Sequence, residues 1–172
     1  MVKRDKMKHK IHTKQEAGEP VCRDYRKLIK RAVQTTLRYE QVDSPCAVSV
    51  LITDDEGIRR YNAQYRKKDK ATDVLSFPMQ EFKHPGWDGI AEKELDLVSE
   101  LLPLGDIIIS TEMIERQASE HGNSTRQETA LMIIHSTLHL LGYDHNDDDS
   151  EREMRTKEIK LSRAPLLCSA PT

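Results

Sequence analysis

The sequence predicts an α+β domain in which a small mixed β-sheet packs around one central, buried helix. Three observations carry that expectation. Ala130, Leu131, Met132, Ile133, Ile134, Leu138, Leu140 and Leu141 line one segment on nearly every side, and a helix that is apolar all round is a buried one. Short runs rich in β-branched residues at 46–52, 73–77 and 106–110 alternate with amphipathic segments, but without the strict repetition of a doubly wound parallel sheet. The chain has 172 residues, enough for one sizeable core and too few for two.

Taken in order, residues 1–20 form a basic, polar leader that either frays or adds an edge strand near 10–13. A single domain is expected over 21–165, followed by a short tail at 166–172. Tyr25, Leu28, Ile29, Ala32, Val33, Thr36 and Leu37 recur at helical spacing, with Arg26, Lys27, Lys30 and Arg31 on the other face. The strand at 46–52 follows Pro45. Thr53 and Glu56 have capping-box spacing, so a helix opens there, with Ile58, Tyr61 and Tyr65 as its buried stripe. The strand at 73–77 is stopped by Pro78, and the one at 106–110 is led in by Pro103 and Gly105, with an acidic loop at 80–103 between them. Ser110 caps a helix that ends at His121, where Gly122 takes the left-handed position. Thr125 with Glu128, and Ser150 with Glu153, read as capping boxes for the central helix and for a last helix ending before Pro165.

Composition narrows the function classes. Hydrophobic residues make up 37% and charged residues 33%, which describes a water-facing protein rather than a membrane one. No apolar run reaches the ~18 residues that a spanning helix needs. The N-terminus is basic but lacks the apolar stretch of a secretory signal, so a cytosolic location is expected. Cys22, Cys46 and Cys168 have no CxxC spacing and read as plain thiols. The net charge of −2 hides segregation: residues 59–70 carry six basic side chains against Asp69 alone, while acid gathers at 81–100 and 144–158.

The chemistry sits on the central helix. His135 and His139 are four residues apart, on one face and one turn apart. Gly142 then breaks the helix, and His145 can swing back to complete the set. Three imidazoles leave a fourth position open on a tetrahedral ion, the arrangement of a catalytic zinc site rather than a closed structural one. A single buried histidine is usually a hydrogen-bonded core residue; three clustered polar rings in an apolar setting have no such explanation. The position after His135 is Ser136, not the glutamate of HExxH, which turns the reading away from zincin proteases. An EF-hand over 144–155 fails at Asp149, where glycine is required, and at Arg155, where glutamate is. Asp144 remains a candidate for orienting a histidine.

These residues resemble a known family. HSTLHLLGYDH is similar to the HGxLHLxGYDH signature of the YbeY family, bacterial metal-dependent endoribonucleases of ribosomal RNA maturation. The stretch 61–78, YNAQYRKKDKATDVLSFP, and the strand 104–110, LGDIIIS, resemble two further motifs of that family. The likeness runs from about residue 20 to about residue 162, with Ser136 standing where the family usually has glycine. It implies a single-strand-specific, zinc-dependent endoribonuclease acting late in ribosomal RNA processing, at the 3′ end of the small-subunit 16S RNA. His135, His139 and His145 would be the metal ligands, with nickel as the alternative ion. Arg66 matches the family's functional arginine and, with His135, would be catalytic; Thr72, Asp73 and Ser76 would shape strand and cleft. Implied partners are ribosomal RNA, the small ribosomal subunit, ribosomal proteins and assembly GTPases. Two other classes stay open: a metal hydrolase of peptides or small amides, and a non-catalytic ribosome-assembly factor with structural zinc.

Overall fold

The computed structural model describes residues 9–89 and 100–164. Expectations for the start of the leader, the middle of the acidic loop, Cys168 and the tail at 166–172 lie outside the described residues. Nine elements follow one another: β1 (Lys10–Gln15), α1 (Arg23–Tyr39), β2 (Cys46–Thr53), α2 (Asp55–Arg66), β3 (Val74–Pro78), β4 (Leu102–Ser110), α3 (Thr111–His121), α4 (Thr125–Leu140) and α5 (Asp148–Ser162). The strands form a mixed sheet in the order β1-β2-β4-β3. β1 and β4 run parallel to β2, and β3 runs antiparallel to β4.

Side-chain alternation sends each strand's residues to two different cores. Val48, Val50 and Ile52 of β2 join Leu28, Ile29, Val33 and Leu37 of α1 and Ile133, Ile134, Leu138 and Leu140 of α4 in the main core. Each fully buried leucine or isoleucine there contributes roughly 1.5–3 kcal/mol relative to exposure. On the opposite face, Ile58 of α2 packs with Leu75 and Ile108, a much smaller cluster. One sheet face is thus covered by α1 and α4 and the other only in part by α2. The leader supplies the edge strand β1, and Ile11 within it is already part of the main core.

Five local expectations are corrected. β4 begins at Leu102 rather than at 106, because a register shift opposite Ala47 and Val48 absorbs an extra residue at Leu104. That bulge admits Pro103 within the strand and lets Leu104 and Ile107 share one core. Gly105 is required beside it: φ is +144°, and an added Cβ would stand 2.2 Å from the Phe77 carbonyl oxygen.

All three predicted capping boxes are displaced, the first by one residue toward the C-terminus and the other two toward the N-terminus. Asp54, not Thr53, accepts from the Gly57 amide at 2.7 Å, because Thr53 is held in β2 by its pairing with Ser110. Ser124 and Gln127 form the box on α4, so Thr125 lies inside the helix. The buried Glu128 instead accepts from Asn123 Nδ2 at 2.8 Å and faces His121 Nδ1 at 3.1 Å, bracing the turn between α3 and α4. Asp147, not Ser150, caps α5 and accepts from the amides of Asp149 and Ser150. Finally, Tyr65 is 58% exposed and is not part of a buried stripe; Asn62 is buried in α2 and donates to the Lys70 carbonyl. Ser110 at α3 and the left-handed Gly122 behind it fall where the sequence places them.

Candidate metal centre

The last two turns of α4 carry His135 and His139 on one face, and the chain must reverse at once for His145 to return. Gly142, with φ +88°, makes that reversal, and the Gly142 amide donates to the His139 carbonyl at 3.0 Å. Asp144 accepts from the His145 amide at 2.8 Å and from Asn146 at 2.7 Å. Asp144 therefore shapes the turn that presents His145 and does not hold a histidine ring, as had been expected of it.

The first part of the acidic loop reinforces the turn. The Gly86 amide donates to the Leu141 carbonyl at 2.9 Å, and Phe82 packs on Gly142. Tyr143 donates its hydroxyl to Glu40 at 2.7 Å, and Lys157 donates to the same carboxylate at 2.8 Å, tying the turn to α1 and α5.

The rings converge on one point. His139 Nε2 lies 3.1 Å from His135 Nε2 and 3.1 Å from His145 Nε2, and one nitrogen from each ring falls within 4.8 Å of the others. The remaining nitrogens decide what these contacts are. His139 Nδ1 is 2.7 Å from the Tyr143 carbonyl, which only accepts, so Nδ1 carries the proton. His135 Nδ1 lies 2.6 Å from the Glu158 carboxylate and donates in the same way. Both Nε2 atoms therefore present lone pairs, and converging lone pairs repel unless a cation lies between them. A tetrahedral ion at ~2.0–2.1 Å from each nitrogen separates its ligands by roughly 3.3–3.4 Å, close to the distances here.

Electrostatics favours the neutral, ligating form. Burial, then the neighbouring His135, pushes His139 down to about 4, against which the Tyr143 carbonyl works only in part. His145 is the exposed member of the set, so one side of the cluster faces solvent. A cavity of about 380 Å³ between α4 and α5 opens on His135 and His145 and includes Glu158 and Arg155.

The other expected residues are placed as follows. Arg66, on the last turn of α2, donates to the Ser76 carbonyl on β3 at 3.0 Å and sits 6.0 Å from the centre of the Phe77 ring. Among the described residues it makes no hydrogen bond to the histidines; β3, on which it rests, packs against α4. Thr72 donates to Asp73, and Asp73 accepts from the Val74 amide, so the pair shapes the entry to β3. Ser136 is fully buried and its hydroxyl has no partner among the described residues, whereas Thr137 beside it bonds back to Ile133. The sequence reading missed Glu158. Its only sequence signal is its place on the last helix, 23 residues from His135. Cys46 is buried, which pushes its thiol up to about 12, and Cys22 is exposed.

A small α+β domain whose central helix and following turn gather three imidazoles, open on one side, is a protein that could hold a metal ion. Comparison with known proteins gives that class a family. Residues 10–164 match the family described as endoribonuclease YbeY. The chain is 44% identical over 134 residues to the endoribonuclease YbeY of Caldanaerobacter subterraneus, covering 78% of this chain and 83% of the relative. It is 47% identical over 116 residues to that of Heliobacterium modesticaldum, covering 67% and 68%. A Thermotoga maritima protein solved in solution shares the fold with a TM-score of 0.56 and 26% identity, over 88% of this chain and 86% of that one. The chain belongs to the endoribonuclease YbeY family.

Proposed function

We propose that this protein is a zinc-dependent endoribonuclease that cleaves single-stranded RNA at the site of His135, His139 and His145. The observation that carries the reading is the convergence of the three Nε2 atoms while Glu158 and the Tyr143 carbonyl occupy the opposite nitrogens. Neutral imidazole suits zinc and also nickel. When bound, the ion supplies Lewis-acid chemistry, polarising a phosphate oxygen and acidifying a water.

The protein's own residues do the rest. Glu158 and the Tyr143 carbonyl hold two rings in the ligating tautomer. Arg66 uses one N–H on Ser76 and keeps the others for a phosphate, which its planar fork can grip with two parallel bonds. RNA enters along the basic segment at 59–70. The family points to ribosomal RNA, at the 3′ end of the 16S molecule on the small subunit, as the substrate in the cytosol.

The test is direct. His135→Ala and His139→Ala should each lose bound zinc and cleavage of a single-stranded oligoribonucleotide, and depletion in cells should leave 16S RNA with extended 3′ ends. Retention of both metal and cleavage in either variant would overturn the reading. Cleavage of a peptide pool in place of RNA would transfer the site to the peptide or amide hydrolases.

A further inference from the structure

The sheet face away from α4 is left partly uncovered among the described residues. There α2 covers only part of the strands, leaving a groove of about 720 Å³ floored by β1, β2 and β4 and walled by α2 and β3. Tyr61 and Tyr65, one helical turn apart, stand with their rings stacked at 6.4 Å and an interplanar angle of 9°. Phe77 meets Tyr65 edge-on at 5.4 Å. Tyr65 is 58% exposed, so much of this aromatic surface faces water. An arrangement of ordered, exposed rings contributes little to folding, and exposed apolar surface of this kind marks a binding site.

The charges around the rings identify the occupant. Lys14 and His12 on β1 line one side of the groove. Arg60, Arg66, Lys67 and Lys68 are exposed on or just beyond α2, and Arg66 lies against Phe77. The acidic groups facing the same space are fewer. Asp106 lines the floor, while Glu16 is engaged by the Tyr61 hydroxyl at 2.9 Å and by Arg60 at 3.9 Å, and Asp69 is held by Arg59. Aromatic faces inside a cationic rim match a single polynucleotide strand, whose bases stack while its phosphates meet the cations.

β3, whose Phe77 lines the groove, packs against the helix that carries the metal centre. Gly105 lets the Leu140 side chain, next to His139, approach the sheet beside the Phe77 backbone. The Phe77 ring belongs to the cluster on the far face. Arg66 touches both the Ser76 carbonyl and the Phe77 ring, at the edge strand β3 around which a chain would pass.

We infer that Tyr65, with Tyr61 and Phe77, forms a stacking subsite that holds unpaired RNA bases on the sheet face opposite the histidines, with Lys14 and Lys67 meeting the flanking phosphates. The subsite rests on the RNA reading of the metal centre for its biological use, but its binding can be measured without cleavage.

The probe is a fluorescently labelled, single-stranded 12-nucleotide RNA bound to the full chain and followed by anisotropy, with the same strand carrying 5-iodouridine for photocrosslinking. Tyr65→Ala should weaken binding on the order of tenfold or more, the loss of one stacked base, while Tyr65→Phe should bind within about twofold of the parent because the ring face is kept. The crosslink should map to Tyr65 or Tyr61. A fully paired RNA duplex should show no such dependence on Tyr65. Equal binding by Tyr65→Ala, or crosslinks confined to other segments, would overturn the subsite and leave the groove to a protein. If RNA is cleaved but Tyr65→Ala binds normally, the subsite fails and the proposed function stands. Tyr65-dependent binding without cleavage by the parent would give the reverse result.

Discussion

His135 and His139 each commit one ring nitrogen to a fixed acceptor, Glu158 and the Tyr143 carbonyl. Arg66, exposed at the end of α2, has a single carbonyl and one ring beside it. Under the proposed function, the difference follows from what each would do. A metal site gains affinity when its ligands are oriented before the ion arrives, since any tilt of a ring is a lost bond. A phosphate-gripping arginine works with its donors uncommitted, and its delocalised charge persists without a buried partner. The same contrast separates the two faces of the sheet, one sealed by α1 and α4 and the other left open beside α2.

That separation can be broken in specific ways. Arg66→Ala should lower cleavage on the order of 10²–10³-fold, as when one donor to a developing anion is removed, while zinc affinity stays at the parent level. Single-turnover assays beside metal titration would show it, and loss of metal in this variant would mean the two regions are not separable. Glu158→Ala should weaken zinc binding roughly 10–100-fold, read by competition with a chromophoric chelator. Glu158→Gln, which keeps an oxygen acceptor, should lose less.

The pH response of the metal-free protein tests the burial of His139. In the unfolded chain this ring takes up its proton near the ordinary 6.5, whereas in the folded protein it resists until about 4. Between those values the unfolded state binds more protons, so the contribution of His139 to stability is complete above 6.5, falls as the pH drops, and levels off below about 4. Urea melts of chelated protein at pH 7, 5.5 and 4.5 should decline in midpoint, and less so in His139→Gln. The smallest effect is expected at Ser136. Its buried hydroxyl has no partner among the described residues, so Ser136→Ala should stabilise the fold by about 1 kcal/mol, seen as a rise of ~2–4 °C in melting temperature for a domain of this size. An unchanged or lower melting temperature would show that the hydroxyl is satisfied after all.

Much of the fold was legible because it is written locally. The 3.6-residue period placed α1, the run that is apolar on every side placed α4, and the β-branched runs placed β2 and β3. The caps were misplaced by one to three residues for a common reason. At 53–56, 124–128 and 147–153 several residues able to cap stand together, and the choice falls to whichever one the neighbouring strand or turn leaves extended. Thr53 is kept in the sheet by Ser110, and Asp54 takes the cap. The start of β4 was missed because Pro103 and Gly105 read as breakers, whereas a bulge against β2 makes room for both.

By itself the sequence determined the three histidines, since spacing of four on a helix and a glycine break behind it are properties of the chain over eleven residues, 135–145. Only the tertiary structure decided which ring nitrogens face the common point. Glu158 is 23 positions away on another helix, and the Tyr143 carbonyl becomes an acceptor only once the turn has closed. Nor could periodicity reveal the open face of the sheet or the exposure of Tyr65. A side chain's spacing states which face it shares with its neighbours; what covers that face depends on contacts between distant segments, and those exist only when the chain has folded.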